Sequence, residues 1–349
     1  MRAAILILSA LFLSACGGDT PEEPAAPEAA ESEAAEQPDP RAPVVVYASY
    51  EDGNYWPQFF QAFTEETGIR VNVRTREQSV NVADVIANRG TPPADVLILD
   101  GVHDAWRASD EGALRPLAID GINELVDRRF IDPDGQWVAT GVQTATVVYA
   151  PDAIDPSGIS KYEDLGDENL QGKLCLSSSA LPTNRALIAM LIDDLGVRPA
   201  EIAVRYWVRN LAVPPFATDD ALLDAMDAGT CAIGIVSSRA VRLRALAEHS
   251  SEPRNWERHA LRTHFVNIEA AAVVRHAHQP ERANQLIEWM LQYSNQLEHM
   301  IRSGNYPGHS MYEPSWGQGD LNQVSGREVS VAGWRDEEAI LLAERARYP

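Results

Sequence analysis

Residues 43–75 read PVVVYASYEDGNYWPQFFQAFTEETGIRVNVRT, and this stretch decides the fold class. Val44–Ala48 is a short, β-branched apolar run, the pattern of a strand buried on both faces. Gly53 and Asn54 mark a turn. Trp56, Phe59, Phe60 and Phe63 then recur at the spacing of one helix face, and Gly68 stands where a helix C-cap belongs. Arg70–Arg74 alternates polar and apolar as a second strand. Strand, helix and strand across short loops predict an α/β domain with a largely parallel sheet.

The pattern continues outward. A helix is predicted over Val80–Ala87, ended by Gly90 and Pro92-Pro93; a third buried strand over Asp95–Leu99; and a helix over His103–Glu111, closed by Gly112. Ligands of such sheets bind beyond the carboxyl ends of the strands, which singles out the loops Ser49–Asn54 and Asp100–His103. A second αβ region has strands at Thr146–Tyr149, Leu174–Leu176, Ala232–Val236 and His264–Val274. Its helices are Asn184–Asp194, Pro199–Leu211, Asp219–Ala228, Pro280–Gln292 and Glu337–Arg347.

The chain has 349 residues, enough for two domains, and carries 29 Lys+Arg against 51 Asp+Glu, a formal charge of −22. That balance argues against a nucleic-acid groove. After residue 15 no apolar run approaches the roughly 18–20 residues that span a bilayer. No P-loop, GxGxxG or nucleophile elbow is present, so nothing positive supports an enzyme. His276-Ala277-His278 has metal-like spacing without a nearby acid and reads as a solvated loop. Asp132-Pro133-Asp134-Gly135 is a fragment of a calcium loop whose remainder is missing.

The N-terminus is an address. Arg2, the apolar Ala3–Leu13 and the small residues before Cys16 form an export signal, and Leu13-Ser14-Ala15-Cys16 resembles a bacterial lipobox. That resemblance implies removal of residues 1–15 and a lipid on Cys16, which places the protein in the bacterial cell envelope with the anchor as its one membrane contact. Residues 16–42 form a tether with eight acids, no base before Arg41, and mostly Pro and Ala otherwise, a composition that stays extended. Losing Arg2 takes the charge from −22 to −23, and setting aside the eight tether acids leaves −15 on residues 41–349. Cys175 and Cys231 remain as an even pair in an oxidising compartment and are expected to be bonded; no Cys/His cluster suggests zinc.

Several pieces together resemble the periplasmic ferric-iron-binding proteins, substrate-binding subunits of ABC importers with the class II periplasmic-binding-protein fold. They are Val46-Tyr47-Ala48-Ser49, Ala62–Ile69, Pro93–Leu97, Asp132–Trp137, Val147–Tyr149, Tyr162–Leu165 with Gly172-Lys173, and Asn305-Tyr306-Pro307. The paired cysteines are similar to those of cyanobacterial-type members. The resemblance implies an α/β fold of two lobes, 43–143 plus 266–318 and 144–265 plus 319–349, with the ligand between them and hinge closure on binding. It also implies a monomer, an ABC permease and ATPase as partners, and Fe³⁺ with a synergistic anion as cargo.

The ligand positions depart from the family. Its adjacent tyrosines fall on Ser238 and Arg239, a weak donor and a fixed cation. The His or Tyr of the first loop becomes Glu51, with Tyr50 and Asp52 beside it. The acid after the third strand is kept as Asp100, and a site arginine of many relatives falls on Gln143. The ligand set implied here is Tyr50, Glu51, Asp52, Asp100, Gln143, Ser238 and Arg239, with Glu51 and Asp100 the metal candidates. Ser178 and Ser179 join it as part of an anion pocket before a helix. Each has a second reading: Glu51, Asp52 and Asp100 as capping acids, Arg239 as a surface ion-pair partner, the serines as an ordinary turn, and Tyr50, Tyr55 and Trp56 as packing. Two rivals stay open: a sensor-type binding protein, and an importer subunit for a small organic or zwitterionic solute.

Overall fold

A computed structural model describes residues 42–49, 55–247, 254–262, 265–311 and 335–349. In chain order the elements are β1 (Val44–Ala48), α1 (Tyr55–Thr67), β2 (Val71–Thr75), α2 (Gln78–Ala87), β3 (Val96–Asp100), α3 (Val102–Asp110), β4 (Leu114–Arg115) and α4 (Ile122–Leu125). Then come β5 (Trp137–Tyr149), β6 (Leu174–Leu176), α5 (Pro182–Leu195), α6 (Val197–Asn210), α7 (Asp219–Asp227), β7 (Ile233–Ser237) and α8 (Ser238–Ala247). β8 (Glu257–His259), β9 (Val266–Val274), α9 (Pro280–Leu291), α10 (Tyr293–Ser303) and α11 (Asp336–Ala346) complete the described set.

β1 lies parallel between β2 and β3, as its apolar character on both faces requires. α1 covers this sheet with Trp56, Phe59, Phe60 and Phe63, and Gly68 ends the helix at φ 73°, a left-handed turn that costs a glycine nothing. The centre of the sheet differs from the expectation of largely parallel strands. The strand order is β2-β1-β3-β9-β5-β7-β6, and β9 runs antiparallel to both β3 and β5. Among the described strands, parallel ladders join β1 to its two neighbours and β6 to β7.

β5 is longer than the predicted Thr146–Tyr149. Its first part, Trp137–Thr144, pairs with β9, and its second, Ala145–Tyr149, pairs with β7. All but its last residue are buried. Thr140, Gln143 and Thr144 break the apolar pattern in the sequence, yet they are buried, and each side chain finds a hydrogen-bond partner inside, Thr144 on the Thr146 hydroxyl. At Gly141 the register shifts, and a Cβ there would come within 2.7 Å of Asn305. The Cys175–Cys231 bond is formed, with Cα atoms 5.8 Å apart; it ties β6 to the approach of β7, inside a cluster with Leu222, Leu223, Met226 and Trp256.

Candidate functional site

Asp100 closes β3 and stands at its carboxyl end, about a fifth exposed. Gly101 follows at φ 133°, and a Cβ there would lie 2.4 Å from the His103 ring, so the turn out of the strand needs glycine. The Asp100 backbone is clamped by Gln78 at the start of α2. Its N–H donates to Gln78 Oε1 (2.5 Å), and Gln78 Nε2 donates to the Asp100 carbonyl (3.3 Å) and to Asp104 Oδ2 (2.5 Å).

Two donors meet the Asp100 carboxylate, one on each oxygen. Gln143 Nε2 of β5 donates to Oδ1 (2.8 Å), and Gln143 Oε1 accepts from Thr183 Oγ1 at the start of α5 (3.0 Å). Arg239 Nη1, on the second residue of α8, reaches Oδ2 at 3.4 Å. The guanidinium is braced from behind, since its Nε donates to the Ser303 carbonyl at the end of α10 (2.7 Å). Ser238 is buried, and its Oγ accepts from the Thr144 N–H (2.9 Å), which joins α8 to β5. Burial pushes the Asp100 carboxyl above the usual carboxylate range, and the nearby Glu269 adds to this; Arg239, Gln143 and His103 act the other way.

A second polar cluster lies behind this one. Glu269 is buried in β9 and sits beside Asp100 in the sheet register. It accepts from Thr140 Oγ1 (2.6 Å) and Asn305 Nδ2 (3.3 Å), and its Oε1 is 2.9 Å from His299 Nε2 on α10. The other His299 ring nitrogen bonds the Tyr55 hydroxyl. Burial alone would raise Glu269, but His299, Thr140 and Arg239 together hold it below the usual range. The sequence reading missed this cluster; the one signal was a charged residue inside the apolar run of β9.

Of the predicted site residues, Asp100, Gln143, Ser238 and Arg239 are brought together by the end of β3, the middle of β5 and the start of α8. Tyr50, Glu51 and Asp52 lie outside the described residues. Ser178 and Ser179 are engaged elsewhere. The Ser178 N–H donates to the Phe216 carbonyl and its Oγ accepts from Ala180 N–H, while Ser179 donates from N–H and Oγ to the carbonyls of Pro349 and Tyr348. Trp56 is buried against Phe60 and His299 as a packing residue. His276 and His278 are exposed after β9, and Asp132 turns the chain by accepting from Gln136 N–H (2.9 Å). Among the described residues no group of three or more His, Cys, Asp or Glu is arranged to hold a metal ion.

The family described as bacterial extracellular solute-binding protein matches residues 58–315. Iron uptake protein A1 of Synechocystis is 24% identical over 313 residues, covering 87% of this chain and 83% of that protein. The Fe(3+)-binding periplasmic protein of Serratia marcescens is 20% identical over 268 residues, 75% and 77% of the two chains. Among solved structures, the Trichodesmium protein IdiA (FutA), in complex with iron and citrate ligands, superposes with a TM-score of 0.77 at 26% identity, covering 88% of this chain and all of that one. The ferric binding protein of Campylobacter jejuni gives a TM-score of 0.78 at 20% identity, with the same coverage.

Proposed function

The chain belongs to the bacterial extracellular solute-binding protein family, and from that premise we propose that it is the lipid-anchored capture subunit of an ABC importer whose cargo is ferric iron held by a carboxylate anion. Its fold is the α/β two-lobe fold of periplasmic binding proteins. In this reading the lobes are 43–143 plus 266–318 and 144–265 plus 319–349. The protein works as a monomer, fixed to the membrane through Cys16, and hands its solute to a permease and ATPase.

The observation that carries the cargo assignment is the meeting of opposite charges, Asp100 from one side and Arg239 from the other. Arg239 offers a planar fork suited to a carboxylate. Asp100, with Glu51 from the first loop, offers hard oxygen to a cation. A bare ferric ion is disfavoured in this reading, because the resemblance puts Arg239, a fixed cation, at a position of the family's tyrosine pair. Two unit charges about 4 Å apart repel by on the order of 4 kcal/mol at an effective dielectric near 20, or roughly three decades of affinity. The similarity to a Trichodesmium protein that holds iron with citrate supports the anion-bearing form of the cargo. The same pair favours a second reading, a zwitterionic organic solute with its carboxylate on Arg239 and its cation on Asp100.

Equilibrium dialysis against ferric citrate, followed by a visible spectrum of the retained fraction, tests the assignment. Iron is expected to be retained with its citrate and without an intense tyrosinate-to-iron band. No retained iron sinks the ferric reading and leaves the organic solute. A strong band means that tyrosines such as Tyr50 or Tyr306 ligate the metal, and that the role given to Arg239 is wrong.

A further inference from the structure

We propose that Arg242, one turn along α8 from Arg239, is a second anion-binding residue of the site and selects solutes that carry more than one carboxylate. The inference rests on the reading of the Asp100–Arg239 cluster as the solute site and deepens it by naming the class of anion.

Arg242 carries an unmet hydrogen-bond donor. Its Nε is buried without a hydrogen-bond partner, while the side chain as a whole is partly exposed. Among the described arginines Arg335 alone shares a sealed, unpartnered Nε, and there Nη1 lies on Glu338 at 2.6 Å. The Arg242 guanidinium meets no acid and no carbonyl among the described residues; it stands over the Tyr306 ring, 5.8 Å from its centre. A fixed cation with a desolvated donor is costly to leave without a counter-charge. An anion at the open, terminal end of the guanidinium supplies one.

The position of Arg242 ties it to the site. Arg239 and Arg242 are three residues apart on α8, which puts their Cβ atoms on one helix face, about 5–6 Å apart. Both side chains rest on the end of α10 and the residues after it. Arg239 Nε donates to the Ser303 carbonyl (2.7 Å), and Arg242 covers Tyr306. Tyr306 is held by two backbone bonds to Val142 of β5, both 2.8 Å, and Val142 precedes Gln143, which binds Asp100. Arg239 is already engaged by Asp100 and Ser303 and keeps both contacts here. Arg242 is the guanidinium that adds a second point of attachment.

Selectivity follows from the number of carboxylates. Residues 41–349 carry a net charge of −15, which repels a polycarboxylate, so such an anion needs a local cluster of positive charge. A solute with one carboxylate uses one guanidinium and leaves Arg242 as it stands. A solute with two or three neutralises it as well, through a charge-assisted, planar contact.

The test is calorimetric titration of metal-free citrate, ferric citrate and lactate into wild type, Arg242→Gln and Arg242→Lys, with folding checked by circular dichroism and Tm. Arg242→Gln is expected to weaken citrate by roughly tenfold or more, with and without iron alike, because the residue meets the anion and not the metal. The preference for citrate over lactate is expected to shrink by a similar factor. Arg242→Lys keeps the charge and loses the fork, and is expected to weaken citrate less than Arg242→Gln. Citrate affinity unchanged in both variants overturns the inference, as does an equal loss for citrate and lactate, which marks a purely structural role. Wild type that binds metal-free citrate, with the loss in Arg242→Gln, yet retains no iron overturns the ferric cargo and leaves this inference standing. Wild type that binds neither form of citrate overturns both.

Discussion

Asp100 is a residue whose chemistry works against the fold that carries it. Its carboxyl lies above the usual range, chiefly through burial, so the folded chain binds this proton more readily than the unfolded chain does. The resulting stability is fully present below the ordinary carboxylate pKa, about 3.9, and is lost as pH rises through the raised value. At neutral pH the ionised group is therefore a net cost, as expected of a binding residue. Asp100→Asn is predicted to raise Tm at pH 7, with the gain shrinking as pH falls toward 4; a lower Tm at pH 7 would show that the Arg239 contact outweighs burial. Glu269, one strand away, has the opposite sign, since its contribution is present at neutral pH and is lost in acid as pH falls through its lowered value. At this scale Asp100, Ser238 and Arg239 were legible because they follow recognisable strands, whereas Gln143, outside the predicted strand, was reached only through the family resemblance. Gln78, Thr183, Glu269 and His299 were not legible. Each reaches the site from a distant element, and nothing in its local sequence marks its partner.

Among the elements, β1 to α3 were legible to within a residue or two because their apolar periodicity is strong. β5 was read at a third of its length, because its buried threonines and glutamine look like a loop until the partners on β9 and α5 are known. α8 was missed because β7 runs into it without a connecting turn, and its arginines dilute the apolar face. The Cys175–Cys231 bond closes a long segment holding α5, α6 and α7. On the chain-entropy model such a loop stabilises the fold by about 4 kcal/mol. The double variant Cys175→Ser with Cys231→Ser should lower the urea unfolding free energy by roughly that amount. A loss under about 1 kcal/mol would mean that the surrounding Leu222, Leu223 and Met226 cluster holds β6 to β7 without the covalent tie.

For the whole molecule, the two-lobe fold was legible through family resemblance, whereas composition and periodicity reached only α/β. The antiparallel centre was not legible, because a buried strand has the same apolar pattern in either direction. Cys16→Ser is predicted to move the protein from the membrane to the soluble envelope fraction, and identical fractionation of variant and wild type would remove the anchor from the account. The central claim, that solute is held between two lobes that close on it, is tested most directly by small-angle scattering of residues 43–349 with and without saturating ferric citrate. The account predicts a smaller radius of gyration with ferric citrate than without it. An unchanged radius of gyration, at a ligand concentration where dialysis shows iron retained, would contradict it.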